Sequence, residues 1–429
     1  METQNNTFPY ERIVGAYLRY QRKIQNISLI SLSKSMNINK GFLSDLENGK
    51  RHFPEGVVQQ FCDILKIEFN EDISSYKQSI SYLLNVFNDY CYNISYENSN
   101  IKNLSFLTKN LLNSLGFFPI LICHFYHCFF IEKNNTDASQ IKIIIDRNIK
   151  CLSINELSIY YCFLGLYFKM HKDKTTSISY FNKSMEYCSK SSNVYTMDIF
   201  NLIDLYSSTN NSLIAYNYLY EAKFSLDQND NYIRLFECNL LECNILTRLH
   251  MYEQSKEKLL KILSHSESNL KNNNYLNIFR HLAWNALLSE NYDDCIKYTK
   301  LARDNENAFN GLCYFIPFSY YKKGDIENCL NALNDEYIQA NSIYKPFLYA
   351  IRARIQHKDE MFEKHILKCY ECAISIQEFD GIHFILDMMI EYYDEKGKDK
   401  KLIYAFKDMK QFQEHHLTRK NSFVLKHNG

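Results

Sequence analysis

Residues 158–188, SIYYCFLGLYFKMHKDKTTSISYFNKSMEYC, carry the pattern from which the fold can be read. Tyr161, Leu164, Gly165 and Phe168 recur at three-to-four spacing and so share one face of a helix. After the polar break HKDKTT, Ile178, Phe181 and Met185 do the same on a second helix. Two short amphipathic helices cannot bury their apolar faces alone, so further pairs must stack on them. Such pairs recur along the chain. With Gly165 as the small position, equivalents fall at Ile203, Cys243, Ala283, Pro317 and Arg354. The expected units are 158–188, 195–226, 232–265, 275–304 and 311–340, with two more at 344–373 and 381–413. One or two divergent pairs should occupy 79–150, with a loop at 134–140. Pro317 should kink the fifth unit, because it removes a backbone donor.

Composition agrees with a helical chain. Among 429 residues there are 11 Gly and 5 Pro, too few for the frequent turns of a strand-rich fold. The 34 Tyr and 29 Phe supply bulky packing between helix pairs. Basic and acidic residues balance at 49 each, which argues against a nonspecific polyanion binder. Within 10–66, however, nine Lys and Arg stand against five Asp and Glu. The N-terminal METQNNTFPY has no hydrophobic run, and the most apolar stretch, 116–131, is broken by Pro119, His124 and His127. No membrane segment is expected, and the chain reads as cytoplasmic. Fourteen Cys then read as buried free thiols. His124-x-x-His127-Cys128 and Cys369/Cys372 each lack a second pair at metal-ligand distance, so neither metal nor cofactor is expected. A phosphate-binding Gly-rich loop and a nucleophile elbow are both missing from the sequence, and no enzyme is expected.

The paired-helix spacing resembles the tetratricopeptide repeat. That resemblance implies an all-α chain in which stacked pairs form a right-handed superhelical array over 79–415, its concave face lined by the first helix of each pair. In this register the stripe facing the groove contains Asp204, Asn244, Arg248, Asn277, Arg280, Trp284, Tyr314 and Phe318, with Asn201 one position off it. Asn can donate to and accept from one peptide unit at once, so amides along a groove suit an extended peptide. The opposing reading is that these are solvated or capping residues of an Asn-rich chain, and Trp284 suits core and ligand platform equally.

Residues 10–66 carry a different pattern. A first helix from about Tyr10 has Ile13, Tyr17, Tyr20 and Ile24 on one stripe. Ser28 caps a short second helix, Asn37 stands where the turn requires a left-handed residue, and Asn39 caps a third helix with Phe42, Leu43 and Leu46 inside. Pro54 leads to a fourth helix with Val57, Val58, Phe61, Ile64 and Leu65. Leu18-Arg19…Arg22, Ser28 and the run Leu43-Ser44-Asp45-Leu46-Glu47-Asn48-Gly49-Lys50-Arg51 resemble the repressor-like helix-turn-helix family. The resemblance implies a buried salt bridge between Arg22 and Glu47. It places Lys40, Gly41 and Asp45 at base-reading positions and Asn39, Lys50 and Arg51 at phosphates. Leu29 departs from the usual Gln at the start of the second helix, and Gly41 has no side chain to read with. Direct readout therefore rests on Lys40, Ser44 and Asp45, where Asp45 either accepts from cytosine N4 or repels phosphate.

The combination of a helix-turn-helix at 10–66 and repeats at 79–415, joined by a linker at 67–78 and flanked by tails at 1–9 and 416–429, resembles the RRNPP family of peptide-sensing regulators. Membership implies a homodimer on double-stranded DNA with an inverted-repeat operator, switched by a short signalling peptide in the repeat groove. The alternative is a repeat scaffold whose main ligand is a protein partner such as a response regulator, with DNA binding secondary or lost. A third reading is a regulator tuned by dimer level alone.

Overall fold

The computed structural model describes residues 9–93, 111–209, 211–266, 272–303, 312–339, 344–375, 379–414 and 422–427. Among these there are 22 α-helices, a π-turn at His127–Ile131, a 3-10 turn at Ile149–Cys151 and no strand. A single isolated bridge joins Asn70 to Ser114. The chain is all-α, and it divides into two compact units, Met1–Ile199 with Ser225–Arg234, and Phe200–Phe224 with Leu235–Gly429.

The first unit begins with α1 (Tyr10–Ile24), α2 (Leu29–Ser35), α3 (Lys40–Glu47) and α4 (Val57–Leu65). Ser28 caps α2 by accepting from Ser31 N at 3.0 Å, and Asn39 caps α3 by accepting from Gly41 N at 2.7 Å. Asn37, between them, has φ 51°, the left-handed region that Asn tolerates better than most residues. α1 crosses α3 backbone to backbone. A Cβ on Gly15 would lie 2.3 Å from the Leu46 carbonyl oxygen, so only glycine fits there. The buried face of α1 is Ile13, Val14, Tyr17 and Leu18; Ile24, expected on that stripe, is exposed.

These four helices are fastened to the rest of the first unit. The Tyr17 hydroxyl, its one proton shared, lies 3.2 Å from the Glu68 carbonyl and 3.1 Å from Asn113 Oδ1, while its ring stacks on Phe69 and meets Phe117 edge-on. Arg12 reaches the Lys150 carbonyl at 3.3 Å. The expected linker is correspondingly short, since α5 (Ile73–Cys91) starts within it, capped by Asp72. α6 (Phe117–Tyr126), α7 (Asn135–Arg147), α8 (Ile154–Met170) and α9 (Lys174–Met185) complete this part, and α10 (Asn193–Ser208) runs on into the second unit.

The second unit holds the C-terminal part of α10, most of α11 (Ser212–Gln228) and α12 (Tyr232–Arg248). It continues through α13 (Tyr252–Ser266), α14 (Asn272–Leu288), α15 (Tyr292–Ala302), α16 (Phe315–Lys322) and α17 (Ile326–Gln339). α18 (Lys345–Ile355), α19 (Asp359–Ser375), α20 (Phe379–Glu395), α21 (Asp399–Gln413) and the short α22 (Phe423–His427) close it. Neighbouring helices pack in sequence order around a continuous aliphatic and aromatic core.

A recurring hydrogen bond marks the repeat. The carbonyl at the small position of a first helix accepts from the side chain twelve residues on. Ser177 donates to Gly165 at 2.7 Å, Ser255 to Cys243 at 2.8 Å and Cys329 to Pro317 at 3.2 Å. One turn further along the second helices stand Phe181, Leu219, Leu259, Thr299, Leu333 and Tyr370, all buried. At Gly165 the approach is so close that a Cβ would lie 2.6 Å from the Phe181 ring. The kink expected from Pro317 does not arise. α16 starts at Phe315, so Pro317 falls in the first turn, where a backbone N–H has no intrahelical acceptor to lose.

Part of the expected C-terminal tail is anchored. Buried Asp408 accepts from Tyr370 Oη at 2.6 Å, Ser422 Oγ at 2.7 Å, Phe423 N at 2.6 Å and Val424 N at 3.0 Å. The remainder of that tail, and the N-terminal tail through residue 8, lie outside the described residues.

Candidate functional site

Two regions hold residues singled out by sequence. The first is the outer face of α3. It is held by a buried ion pair in which Arg22 donates to Glu47 through Nε at 2.6 Å and Nη2 at 2.7 Å, and to the Ile27 carbonyl through Nη1 at 2.8 Å. Planar guanidinium and carboxylate thus make two parallel bonds, and the pair ties α1 to the end of α3. Beyond it, Asn39, Lys40, Gly41, Lys50 and Arg51 are exposed, while Ser44 and Asp45 are half-buried. Asp45 is not idle. It accepts from Arg51 Nε at 3.1 Å, and the Arg51 guanidinium lies 5.5 Å from the centre of the Phe42 ring. The expected base reader and the expected phosphate contact therefore hold each other. Exposed pairs of this kind are worth about 0–1 kcal/mol, so an approaching phosphate separates them cheaply. Behind this face Arg19 donates to Asn48 Oδ1 at 2.6 Å and also reaches Asn148.

The second region is a cavity of about 750 Å³ inside the second unit. Its walls come from the start of α11 (Ser212, Leu213, Ile214) and the end of α12 (Thr247, Arg248, Leu249). α14 adds Trp284 and Leu288, and α20 and α21 add His383, Asp387, Met409, Phe412 and Gln413. An arginine, a carboxylate and several aromatic or aliphatic faces converge there. This is the mixture that holds a small ligand with both charges and apolar side chains. Burial pushes the Asp387 carboxyl up, with Lys322 pulling the other way and Glu391 and Glu290 adding to the rise.

One wall is locked by hydrogen bonds. Asn285, buried beside Trp284, donates to Thr247 Oγ1 at 3.0 Å and to the Tyr252 carbonyl at 3.1 Å; Thr247 is also 2.8 Å from Ser255 Oγ. The Trp284 ring packs on Phe315 and edge-on against Phe384. It thus packs into the core and also lines the cavity.

Of the groove residues expected from sequence, Arg248 and Trp284 line this cavity. Asn244 and Arg280 are half-buried one turn before them, Asn277 is exposed and Asp204 is half-buried; none of these four is in its wall. His281, between Arg280 and Trp284, is pushed down to about 4 by burial, with Arg280 and Arg248 adding repulsion. Three expectations are corrected. Asn201 is buried. Tyr314 and Phe318 are buried among Phe315, Tyr344, Phe347 and Phe384. The late start of α16 draws both rings inward, where burial stabilises each by about 1.5–3 kcal/mol, more than exposure to a groove could offer.

The sequence reading missed Asn285, His383, Asp387, Phe412 and Gln413. The signal for two of them was present: His383 and Asp387 stand one turn apart and interrupt the otherwise apolar run 382–390.

No protein-family model matches the sequence, and no curated protein matches it either. Solved structures do match. A Rap protein in complex with competence and sporulation factor superposes with a TM-score of 0.62 at 13% identity, over 79% of this chain and 98% of that one. The apo form of RapI gives 0.53 at 13% identity, covering 80% and 96%. Aspartyl phosphate phosphatase F from Bacillus subtilis gives 0.54 at 15% identity, again over 80% and 96%. The chain shares the fold of Rap proteins. Identities this low speak for the all-α, tetratricopeptide-like architecture alone. Among the described residues no helix is long and apolar enough to cross a membrane.

Proposed function

We propose that this chain is a transcriptional regulator in which a short peptide, bound in the second unit, controls DNA binding by the α3 face. The observation that carries the peptide half is the cavity of about 750 Å³ with Arg248 and Asp387 in its wall, on the fold of a protein solved with competence and sporulation factor bound. Arg248 would take a peptide carboxylate and Asp387 a peptide cation, with Trp284 and Phe412 holding an apolar side chain. The DNA half rests on the exposed Lys40, Lys50 and Arg51 around a capped α3, in a homodimer reading two half-sites. The peptide acts as a switch only if it binds one DNA-competence state better than the other.

A second reading is favoured by one of the fold's neighbours, which is named as a phosphatase of aspartyl phosphate. There the chain would dock a phosphorylated response regulator, and DNA binding would be secondary or lost. The two separate in one experiment, in which the chain is offered a random duplex library for selection and, in parallel, phosphorylated response regulators. Enrichment of an inverted repeat whose affinity changes with peptide supports the first reading. Loss of the aspartyl phosphate with no sequence enriched supports the second.

A further inference from the structure

His124-x-x-His127-Cys128 lacks a further metal donor in linear spacing, and the fold supplies one. At the end of α6 the helix widens into the π-turn His127–Ile131, and Glu132 N donates to the His127 carbonyl at 3.1 Å. A π-turn closes i to i+5 hydrogen bonds, so it lays residue 132 over residue 127, where an α-helix would put them on different faces. The ligand atoms of His127, Cys128 and Glu132 consequently all lie within 4.8 Å of one another. Such turns carry a conformational cost and recur at functional sites.

Glu132 takes a hydrogen bond from the Cys128 thiol, and the spacing of the three side chains also suits an ion. His127 Nδ1 and Glu132 Oε1 are 3.4 Å apart, long for a charge-assisted bond, which is usually about 2.7–2.9 Å. Two ligands at about 2.0–2.2 Å from a tetrahedral zinc are separated by roughly 3.3–3.5 Å. Each of the three is a donor that zinc accepts: one imidazole nitrogen, one sulfur, one carboxylate oxygen. Cys128 is buried, while the Glu132 side chain is half exposed, which gives an ion a way in. The turn is also braced, since the Cys128 carbonyl accepts from Asn134 N at 2.8 Å and Phe129 stacks against His171. A second observation points the same way. His124, one turn earlier, interacts electrostatically with His127 and Glu132, and its Nε2 is sealed from solvent without a hydrogen-bond partner.

We propose that His127, Cys128 and Glu132 bind one divalent cation of the zinc class, clipping the end of α6 to the turn before α7. The fourth position is left to water. The test uses the untagged full-length chain, stripped with a chelator and titrated with Zn²⁺ and separately with Co²⁺. One equivalent of zinc should survive desalting, and cobalt should show a sulfur-to-metal charge-transfer band. Cys128→Ser should abolish that band. Glu132→Gln, a surface change that spares the core, should weaken binding at least tenfold with the circular dichroism spectrum unchanged. The double variant Cys369→Ser/Cys372→Ser should bind as the parent does. Absence of a retained equivalent in the parent chain overturns the proposal, as does a band that persists in Cys128→Ser or full affinity in Glu132→Gln.

Discussion

Arg22 and Glu47 are buried, whereas Arg51 is exposed and Asp45 half-buried, and water makes the difference between the two ion pairs. Removing one partner of the first strands a charge in the interior. Arg22→Ala should therefore cost about 3–5 kcal/mol, whereas Asp45→Ala, which frees an exposed guanidinium, should cost less than about 1 kcal/mol. Urea denaturation of the two variants checks the contrast. His281 gives a pH dependence at the same scale. Its ordinary value of 6.5 falls to about 4 on folding, so between those limits the unfolded chain binds a proton that the folded chain refuses. Stability should accordingly fall as pH drops from 6.5 towards 4. In His281→Phe, melting temperature followed across that window should lose this part of the acid sensitivity.

Helix pairs are where the sequence was most legible. Gly165, Cys243 and Pro317 align by spacing alone, and each offers its carbonyl to a side chain twelve residues on. Gly165→Ala should test the tightest of these crossings. Its methyl would press on the Phe181 ring, and overpacking of this kind costs about 1–3 kcal/mol, outweighing the gain of roughly 1 kcal/mol in helix propensity. A variant as stable as the parent in thermal melts would mean that the pair is loosely packed. The α2–α3 turn was equally readable, because Ser28, Asn37 and Asn39 act within a few residues of their own positions. What could not be read was anything set by distant packing. Tyr314 and Phe318 look like groove residues by register, yet they are drawn into the core by rings from α18 and α20. His383, Asp387 and Phe412 reach the cavity from helices far along the chain. The i to i+5 alignment of His127 with Glu132 is invisible to any search at the period of an α-helix.

At the scale of the molecule, the proposed function joins a DNA reader in the N-terminal helices to a peptide receptor in the second unit. A single module of this size contacts few base pairs, and specific affinities of about 10⁻⁸ M or better usually need paired half-sites. The enriched duplex should be an inverted repeat with half-sites whole helical turns apart. Lys50→Ala should weaken all sequences and flatten the salt slope, while Lys40→Ala should change the preferred sequence; anisotropy titrations at several salt concentrations separate the two. Sequence register offered Asn244, Arg248, Asn277 and Arg280 to the peptide; of these Arg248 lines the cavity, where the proposal adds Asp387. The most direct test uses Trp284, the single tryptophan of the chain and part of the cavity wall. Its emission is followed while candidate peptides of roughly five to ten residues are added to the parent chain and to Arg248→Ala. A saturable change in emission is expected, with at least a tenfold loss of affinity in the variant, since a charged hydrogen bond contributes about 1.5–3 kcal/mol. A peptide that binds without moving Trp284, and equally well to Arg248→Ala, would contradict a receptor site in this cavity.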